Sequence, residues 1–337
     1  MVRSPARRHP GAAGGVFPVQ RRSLLALGAG LVLAAPALAQ APYPDRPITM
    51  ILSYAAGGGT DAAARTLARF LERDLGQPIV VVNRPGAGGE IGWSELARAK
   101  PDGYSIGFAN TPGILTVPIE RPQARFRLED FAPIANIVDD PGGVWVLADS
   151  PYRTLGDLVE AARKAPGTIG YGTTGIGSDD QLAMLALERQ TGVTFLHVPF
   201  AGSSQVRTAL LSRNLPVAVM NMAEGVADGR QGLIWPLAQL GPRRWEAMPE
   251  VPTARELGFE VVEGSMRGVV APAGVPRPIL DRLAGSVRRA VEDPEFQKAA
   301  QQQSLPLRFL GPDEYRAELL ALRAGYEKLW AVHPWKE

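Results

Sequence analysis

Ile48-Thr49-Met50-Ile51-Leu52-Ser53-Tyr54-Ala55-Ala56-Gly57-Gly58-Gly59-Thr60-Asp61 runs from an apolar stretch of strand length, through three glycines, into a helical pattern. The helix predicted beyond it, 62–75, places Leu67, Phe70, Leu71 and Leu75 on one face and stops at Gly76. A glycine loop that opens a helix leaves backbone N–H groups without intrahelical partners, and the helix dipole draws an anion towards them. The stretch therefore reads as a strand, a loop and a helix with an anion site at the turn.

The same alternation continues along the chain. Strand-length apolar runs fall at 48–54, 78–82, 105–109, 144–148, 168–171, 194–198, 217–220 and 268–271. Helical patterns separate most of them. Thr154-Leu155-Gly156-Asp157 is a capped start, and Ser178-Asp179-Asp180-Gln181 has capping-box form before Leu182, Leu185 and Leu187. Pro278–Glu292 and Asp313–Trp330 are the last two helices, the second with Tyr315, Leu319, Leu322, Tyr326 and Leu329 on one stripe. Such alternation argues an α/β fold with mainly parallel sheets flanked by helices.

The N-terminus decides which anions are within reach. Residues 1–39 hold five arginines and no acid, then an uncharged run from Leu24 to Leu33, then Pro36 and the small-residue site Ala37-Leu38-Ala39. This is the pattern of a cleaved export signal, and the run is shorter than the roughly 20 residues a membrane span needs. Arg21-Arg22-Ser23-Leu24-Leu25 partly resembles a twin-arginine signal, with Ala26 where a lysine is usual, so Sec and twin-arginine export both stay open. Loss of the five leader arginines takes the formal charge from +2 to −3, which removes the electrostatic basis for nucleic-acid binding. With no cysteine there is neither a disulfide framework nor a thiolate nucleophile. Hydrophobic residues make up 45% and charged residues 21%, the balance of a folded chain, and about 298 residues suffice for two domains.

Gly57-Gly58-Gly59-Thr60-Asp61-Ala62 formally fits the dinucleotide fingerprint G-x-G-x-x-A. The second strand, however, ends in Val82-Asn83-Arg84 and lacks the acid that holds a ribose hydroxyl, and export removes the chain from nicotinamide pools. An exported hydrolase is the rival enzyme class. No G-x-S-x-G occurs, and the only histidines beyond the leader are His197 and His333. No histidine or carboxylate cluster has metal-ligand spacing.

A second glycine turn follows the second strand, Asn83-Arg84-Pro85-Gly86-Ala87-Gly88-Gly89. Together with Tyr43-Pro44-Asp45-Arg46-Pro47-Ile48, Ala56-Gly57-Gly58-Gly59-Thr60-Asp61, Pro101-Asp102-Gly103-Tyr104, His197-Val198-Pro199-Phe200 and Ala271-Pro272-Ala273-Gly274, in that order, it resembles the periplasmic solute receptors of tripartite tricarboxylate transporters, the Bordetella-uptake type. The resemblance spans essentially the whole chain beyond the leader. It implies a two-lobed, hinged (type II) periplasmic binding protein, monomeric and without cofactor, that closes on a small organic acid and serves a membrane permease. Lobe 1 would comprise 43–145 and 266–337, and lobe 2 would comprise 146–265. A ligand sensor without a transport role is the other non-enzyme possibility.

On that resemblance the ligand lies between the lobes. Lobe 1 would offer Ala56, Gly57, Gly58, Gly59, Thr60 and Asp61, with Thr111 at the end of a nearby strand. Lobe 2 would offer Thr173, Thr174, Gly177, Ser178 and Asp179 ahead of one helix, Phe200 and Gly202 ahead of another, and Asn221 at the cleft floor. Asp61 either binds ligand or only stabilises its own helix start, and His197 reads as a structural strand-end histidine. Many relatives carry Ser-Ser-His where Asp179-Asp180-Gln181 stands, so the two acids either repel a carboxylate or pair with an amino group. Arg267, near where relatives carry an aromatic residue, either clamps a carboxylate or lies on the surface.

Overall fold

The computed structural model describes residues 43–335; the export signal expected over 1–39 lies outside them. Its first strand, β1 (Ile48–Leu52), sends Ile48, Met50 and Leu52 into one hydrophobic layer and Ile51 into the opposite one. That is the two-residue period of a strand buried on both faces. Helix α1 (Gly59–Leu75) covers the first layer with Ala64, Leu67, Phe70 and Leu71, and Gly76 ends it in the left-handed conformation that glycine adopts readily. Next come β2 (Ile79–Asn83), α2 (Glu90–Ala97), β3 (Ser105–Asn110) and α3 (Gly113–Glu120). Then β4 (Phe131–Leu147) leads to α4 (Leu155–Lys164), β5 (Gly170–Thr173), α5 (Asp179–Thr191), β6 (Leu196–Pro199) and α6 (Ser203–Leu211). Elements β7 (Val217–Asn221), α7 (Met222–Arg230), β8 (Ile234–Gln239) and β9 (Gly264–Pro272) follow. The chain closes with α8 (Arg277–Glu292), α9 (Pro294–Gln302), β10 (Leu307–Leu310) and α10 (Pro312–Val332).

The strands run in the order β2-β1-β3-β9-β4-β7-β5-β6, with β8 and β10 also paired to β4. The outer pairings β1 with β2 and β3, and β5 with β6 and β7, are parallel and joined by helices, as the alternation predicts. The two long strands in the middle run antiparallel to their neighbours. From Phe131 to Pro141, β4 pairs with β9; from Gly142 onward it pairs with β7 and β8. One strand thus belongs to both halves of the sheet, and each half carries a hydrophobic layer on either face. In β7, Val217 and Val219 enter one layer of the second half while Ala218 and Met220 enter the other.

Three strands escape the apolar-run reading. The first part of β4 contains Pro133, Asp139, Asp140, Pro141, Gly142 and Gly143, residues that ordinarily mark a turn. Register shifts lie between Pro133 and Ala135 and between Asn136 and Val138, while Pro141 sits where the strand changes partners. A residue without an N–H is tolerated at such breaks. The short β10 and the Pro236-containing β8 lie outside the main path, each paired to β4 alone. Helix starts read from sequence fare better. Thr154 and Asp157 form the reciprocal capping box. Ser178 accepts from the Gln181 N–H, but Gln181 turns its own side chain to the Gly177 N–H.

Candidate functional site

Loops from the two halves of the sheet meet at a small cavity of about 20 Å³. From one half come the β1–α1 loop, the end of β3 and the start of β9; from the other come the openings of α5, α6 and α7. The loops are hydrogen-bonded across the gap, with the Ala55 N–H donating to the Ala201 carbonyl at 3.2 Å and Ser204 Oγ to the Ala56 carbonyl at 3.1 Å. This approach explains the glycines. A Cβ on Gly58 would stand 2.8 Å from Ser203 Oγ, and one on Gly59 would stand 2.6 Å from Glu224 Oε1. Gly57 alone of the three has a positive φ, +82°, so the triple glycine serves close contact at least as much as backbone freedom.

The cavity floor is an ion cluster built around Arg267, which is 1% exposed. Its Nη1 donates to Asp140 Oδ2 at 2.7 Å, and its Nη2 to Asn221 Oδ1 at 2.8 Å and Glu224 Oε1 at 3.0 Å. Each partner comes from a different element: Asp140 from the partner-changing bend of β4, Asn221 from the end of β7 and Glu224 from the first turn of α7. Glu224 reaches across the halves, because Oε1 also accepts from the Gly59 N–H at 3.2 Å. The carboxylate of Glu224 therefore occupies the anion position at the N-terminus of α1. Arg267 is thus neither on the surface nor an unengaged clamp; the protein's own acids hold its terminal nitrogens.

A second acidic group lies at the opening of α5. Asp179 Oδ2 accepts from Asn221 Nδ2 at 2.8 Å, and Asp180 Oδ2 accepts from the Thr174 N–H at 3.1 Å and Thr174 Oγ1 at 2.8 Å. Burial raises the Asp179 carboxyl to about 6 and, with repulsion from Asp179 and Glu224, holds Asp180 well above the carboxylate range. Asp140 is also raised to about 7, chiefly by burial against the opposing pull of Arg267. Tyr54, on the cavity wall, is pushed above its ordinary range by burial and then by Asp179 and Asp180.

Of the residues singled out from sequence, Gly58, Gly59, Thr60, Thr111, Thr174, Asp179, Asn221 and Arg267 line this cavity. Phe200 lines an adjoining cavity of about 250 Å³, which shares Tyr54 and Thr174 with the first and is bounded by the Gly86–Gly89 turn and Arg121. Gly202 serves the loop contact, since a Cβ there would come within 3.2 Å of Ala55. Ala56 supplies its carbonyl to Ser204.

The remaining candidates hold the loops and do not line the cavity. Asp61 accepts from the Gly57 N–H, Arg65 Nε and Asn83 Nδ2, so of its two readings the helix-stabilising one matches the geometry. Thr173 Oγ1 lies 2.6 Å from His197 Nε2, and burial lowers that imidazole to about 4, in keeping with a structural histidine. Gly177 donates to Gln181 Oε1, and Ser178 Oγ donates to the Gly175 carbonyl. Asp140, Glu224, Asn110, Tyr54 and Ser265 belong to the site or its ion cluster but escaped the sequence reading, and Ser203, from the loop that opens α6, also lines the cavity. Only Glu224 had a local signal, as the fourth residue of the box Asn221-Met222-Ala223-Glu224. Among the described residues, no group of three or more histidine and acidic side chains is placed to hold a metal ion.

The family described as "Tripartite tricarboxylate transporter family receptor" matches residues 63–308. The chain belongs to this receptor family. A curated relative from Cupriavidus necator, the UPF0065 protein in the gbd 5′ region, is 33% identical over 302 residues, covering 88% of this chain and 91% of the relative. The solved structure of the periplasmic binding protein BugD superposes with a TM-score of 0.81 at 30% identity, over 86% of this chain and 98% of BugD. An R. palustris protein solved with adipate superposes equally well, TM-score 0.81 at 27% identity, over 86% of this chain and 97% of that one. The receptor fold is therefore that of two-lobed periplasmic binding proteins.

Proposed function

We propose that this chain is exported to the periplasm, captures a small organic carboxylate between two hinged lobes and delivers it to an integral-membrane permease, without catalysing a reaction. One observation carries the reading: the helix-opening loops of α1, α5 and α6, from both halves of the sheet, converge on one buried chamber. Convergent helix N-termini favour a carboxylate, and the adipate-bound R. palustris relative gives an example of such a ligand in this fold. The lobes on this reading are 43–145 with 266–337, and 146–265, joined through β4 and β9. No helix among the described residues is long and apolar enough to cross a membrane, in keeping with a receptor that relies on a separate permease.

A chamber of about 20 Å³ has room for little more than a water-sized group, so a larger ligand enters only if the α1 and α6 loops part. Binding then couples to hinge motion. Thermal denaturation against a panel of organic acids and amino acids tests the reading. A ligand at about 100 times its Kd should stabilise the fold by roughly 2.7 kcal/mol, and solution scattering should register a change in compactness. No shift across the panel would refute the receptor role. N-terminal sequencing of the periplasmic protein should begin at or near Gln40, and a cytoplasmic chain still starting at Met1 would refute export.

A further inference from the structure

Among the described residues, Arg267 is the one cationic side chain on the chamber wall, and its terminal nitrogens are committed to Asp140, Glu224 and Asn221. Glu224 also takes the Gly59 N–H, a principal anion-binding group of the α1 opening. The strongest anion receptors of the site are thus neutralised from within. The acids at the α5 opening are in the opposite condition. Among the described residues, neither Asp179 nor Asp180 has a lysine, arginine or histidine nitrogen within ion-pair distance. Asp179 lines the chamber while 5% exposed, with one amide hydrogen bond to Asn221. Arg267 pulls the Asp179 carboxyl down without pairing with it, yet burial outweighs that pull, so a further cation or a proton would stabilise the acid.

A second observation points to a ligand donor. Asn110 lines the same chamber at 5% exposure, and while its Nδ2 donates to Thr60 Oγ1, its Oδ1 is buried with no hydrogen-bond partner. An orphaned buried acceptor and a carboxylate without an ion pair, lining one chamber, call for a group that donates hydrogen bonds and carries positive charge, as an ammonium does. A second carboxylate is of the wrong sign.

We propose that the ligand carries a protonated nitrogen as well as a carboxylate, with Asp179 and Asn110 Oδ1 holding the nitrogen, so that the receptor selects amino carboxylates over dicarboxylates. This rests on the carboxylate-receptor reading and narrows its ligand class. The carboxylate is left to the backbone N–H groups opening α1 and α6 and to Arg267 Nε, which is buried and has no partner. Asp179 and Asn110 then set specificity, and Glu224 and Asp140 act as positioning residues that keep Arg267 from reading the ligand as a dianion.

The test is calorimetry at pH 7.5 on the exported chain with matched probes: 4-aminobutanoate against glutarate, and L-aspartate against L-malate. The amino member of at least one pair should bind ten-fold or more tightly than its partner. Asp179→Asn should weaken the amino member at least ten-fold while leaving the partner unchanged or tighter, with thermal unfolding confirming that the variant is folded. Repeating the titrations in buffers of different ionisation enthalpy separates the ammonium from a proton, because a dianion held beside Asp179 must bring a proton with it. Tighter binding of glutarate or malate, proton uptake on binding, or indifference to Asp179→Asn overturns the selectivity and leaves the receptor reading standing. Failure of all four probes, together with the wider panel above, overturns both.

Discussion

Asp61 and Asp179 occupy equivalent places in the local grammar of the chain, each in the first turn of a helix that follows a strand and a glycine-containing loop. Their fates diverge. Asp61 gathers Arg65, Asn83 and the Gly57 N–H, and although burial alone would raise its carboxyl, these partners hold it below the usual range. Asp179 faces the other half of the sheet, receives one amide hydrogen bond and is raised to about 6, chiefly by burial. The difference teaches that a first-turn acid is a cap where its partners are local and a recognition element where long-range packing leaves it without an ion pair. Buried charge without compensation lowers stability, and proteins retain it mainly where function needs it.

The largest expected effect lies at Arg267, whose charge lowers the Asp179 carboxyl. Arg267→Met removes the countercharge of Asp140 and Glu224, and losing one partner of a buried ionic cluster costs about 3–5 kcal/mol. Urea denaturation at pH 7.5 measures it. The loss should shrink at lower pH, because Asp140, raised to about 7, takes up a proton there and no longer needs the guanidinium. A loss below about 1 kcal/mol at pH 7.5 would mean that the cluster is solvated and that the chamber floor is open to water.

Asp179→Asn should act in the opposite direction. A carboxyl raised from about 3.9 in the unfolded chain to about 6 in the folded one makes the folded state bind more protons between those values. Stability contributed by this group therefore falls as pH rises through that window, and the penalty is complete above pH 6. Removing the charge should stabilise the ligand-free protein at pH 7.5 by about 1–3 kcal/mol and flatten its stability curve between pH 4 and 6. A destabilised variant would place Asp179 with Asp61 as a helix-start residue and remove the contrast.

How much of this was legible follows the range of the interactions. The β1–α1 unit could be read because its strand period, glycines and helix stripe all lie within 28 residues, Ile48 to Leu75. The stripe on α10 was legible for the same reason, with Tyr315 and Leu319 buried and Leu322 and Tyr326 packed beside them. The first part of β4 was not, since its prolines, glycines and acids imitate a loop until β9, more than 120 residues on, supplies the partner strand. The sequence puts Arg267 near the cleft, but its role depends on Asp140 at a separation of 127 residues, which has no local pattern, and on Glu224 at 43, whose capping-box pattern points to its own helix and not to Arg267. From sequence alone the glycines of the loop are sources of free N–H groups. Packing added the second reason, that Gly58 and Gly59 admit Ser203 and Glu224 from the opposite half.

The smallest effect completes the comparison from the Asp61 side. Asp61 has a buried carboxylate, but Arg65 is half exposed, so water screens the pair and an exposed partner of this kind contributes little. The Gly57 N–H and Asn83 Nδ2 donate to different carboxylate oxygens, so the single oxygen of the new amide keeps one of these hydrogen bonds and loses the other. Asp61→Asn should therefore destabilise the protein by roughly 0.5–1.5 kcal/mol at pH 7.5, the range of one charge-assisted cap and a screened pair. The pH sign is opposite to that of Asp179. A lowered carboxyl adds stability that is present above its unfolded value and is lost as pH falls through its folded one, so parent and variant should converge in acid. Paired urea titrations of both variants from pH 3 to 7.5 decide the matter: curves that diverge with pH in opposite directions uphold the division between cap and recognition acid. A parallel response in the two variants would show that burial across the lobes gives Asp179 no different character from a first-turn cap.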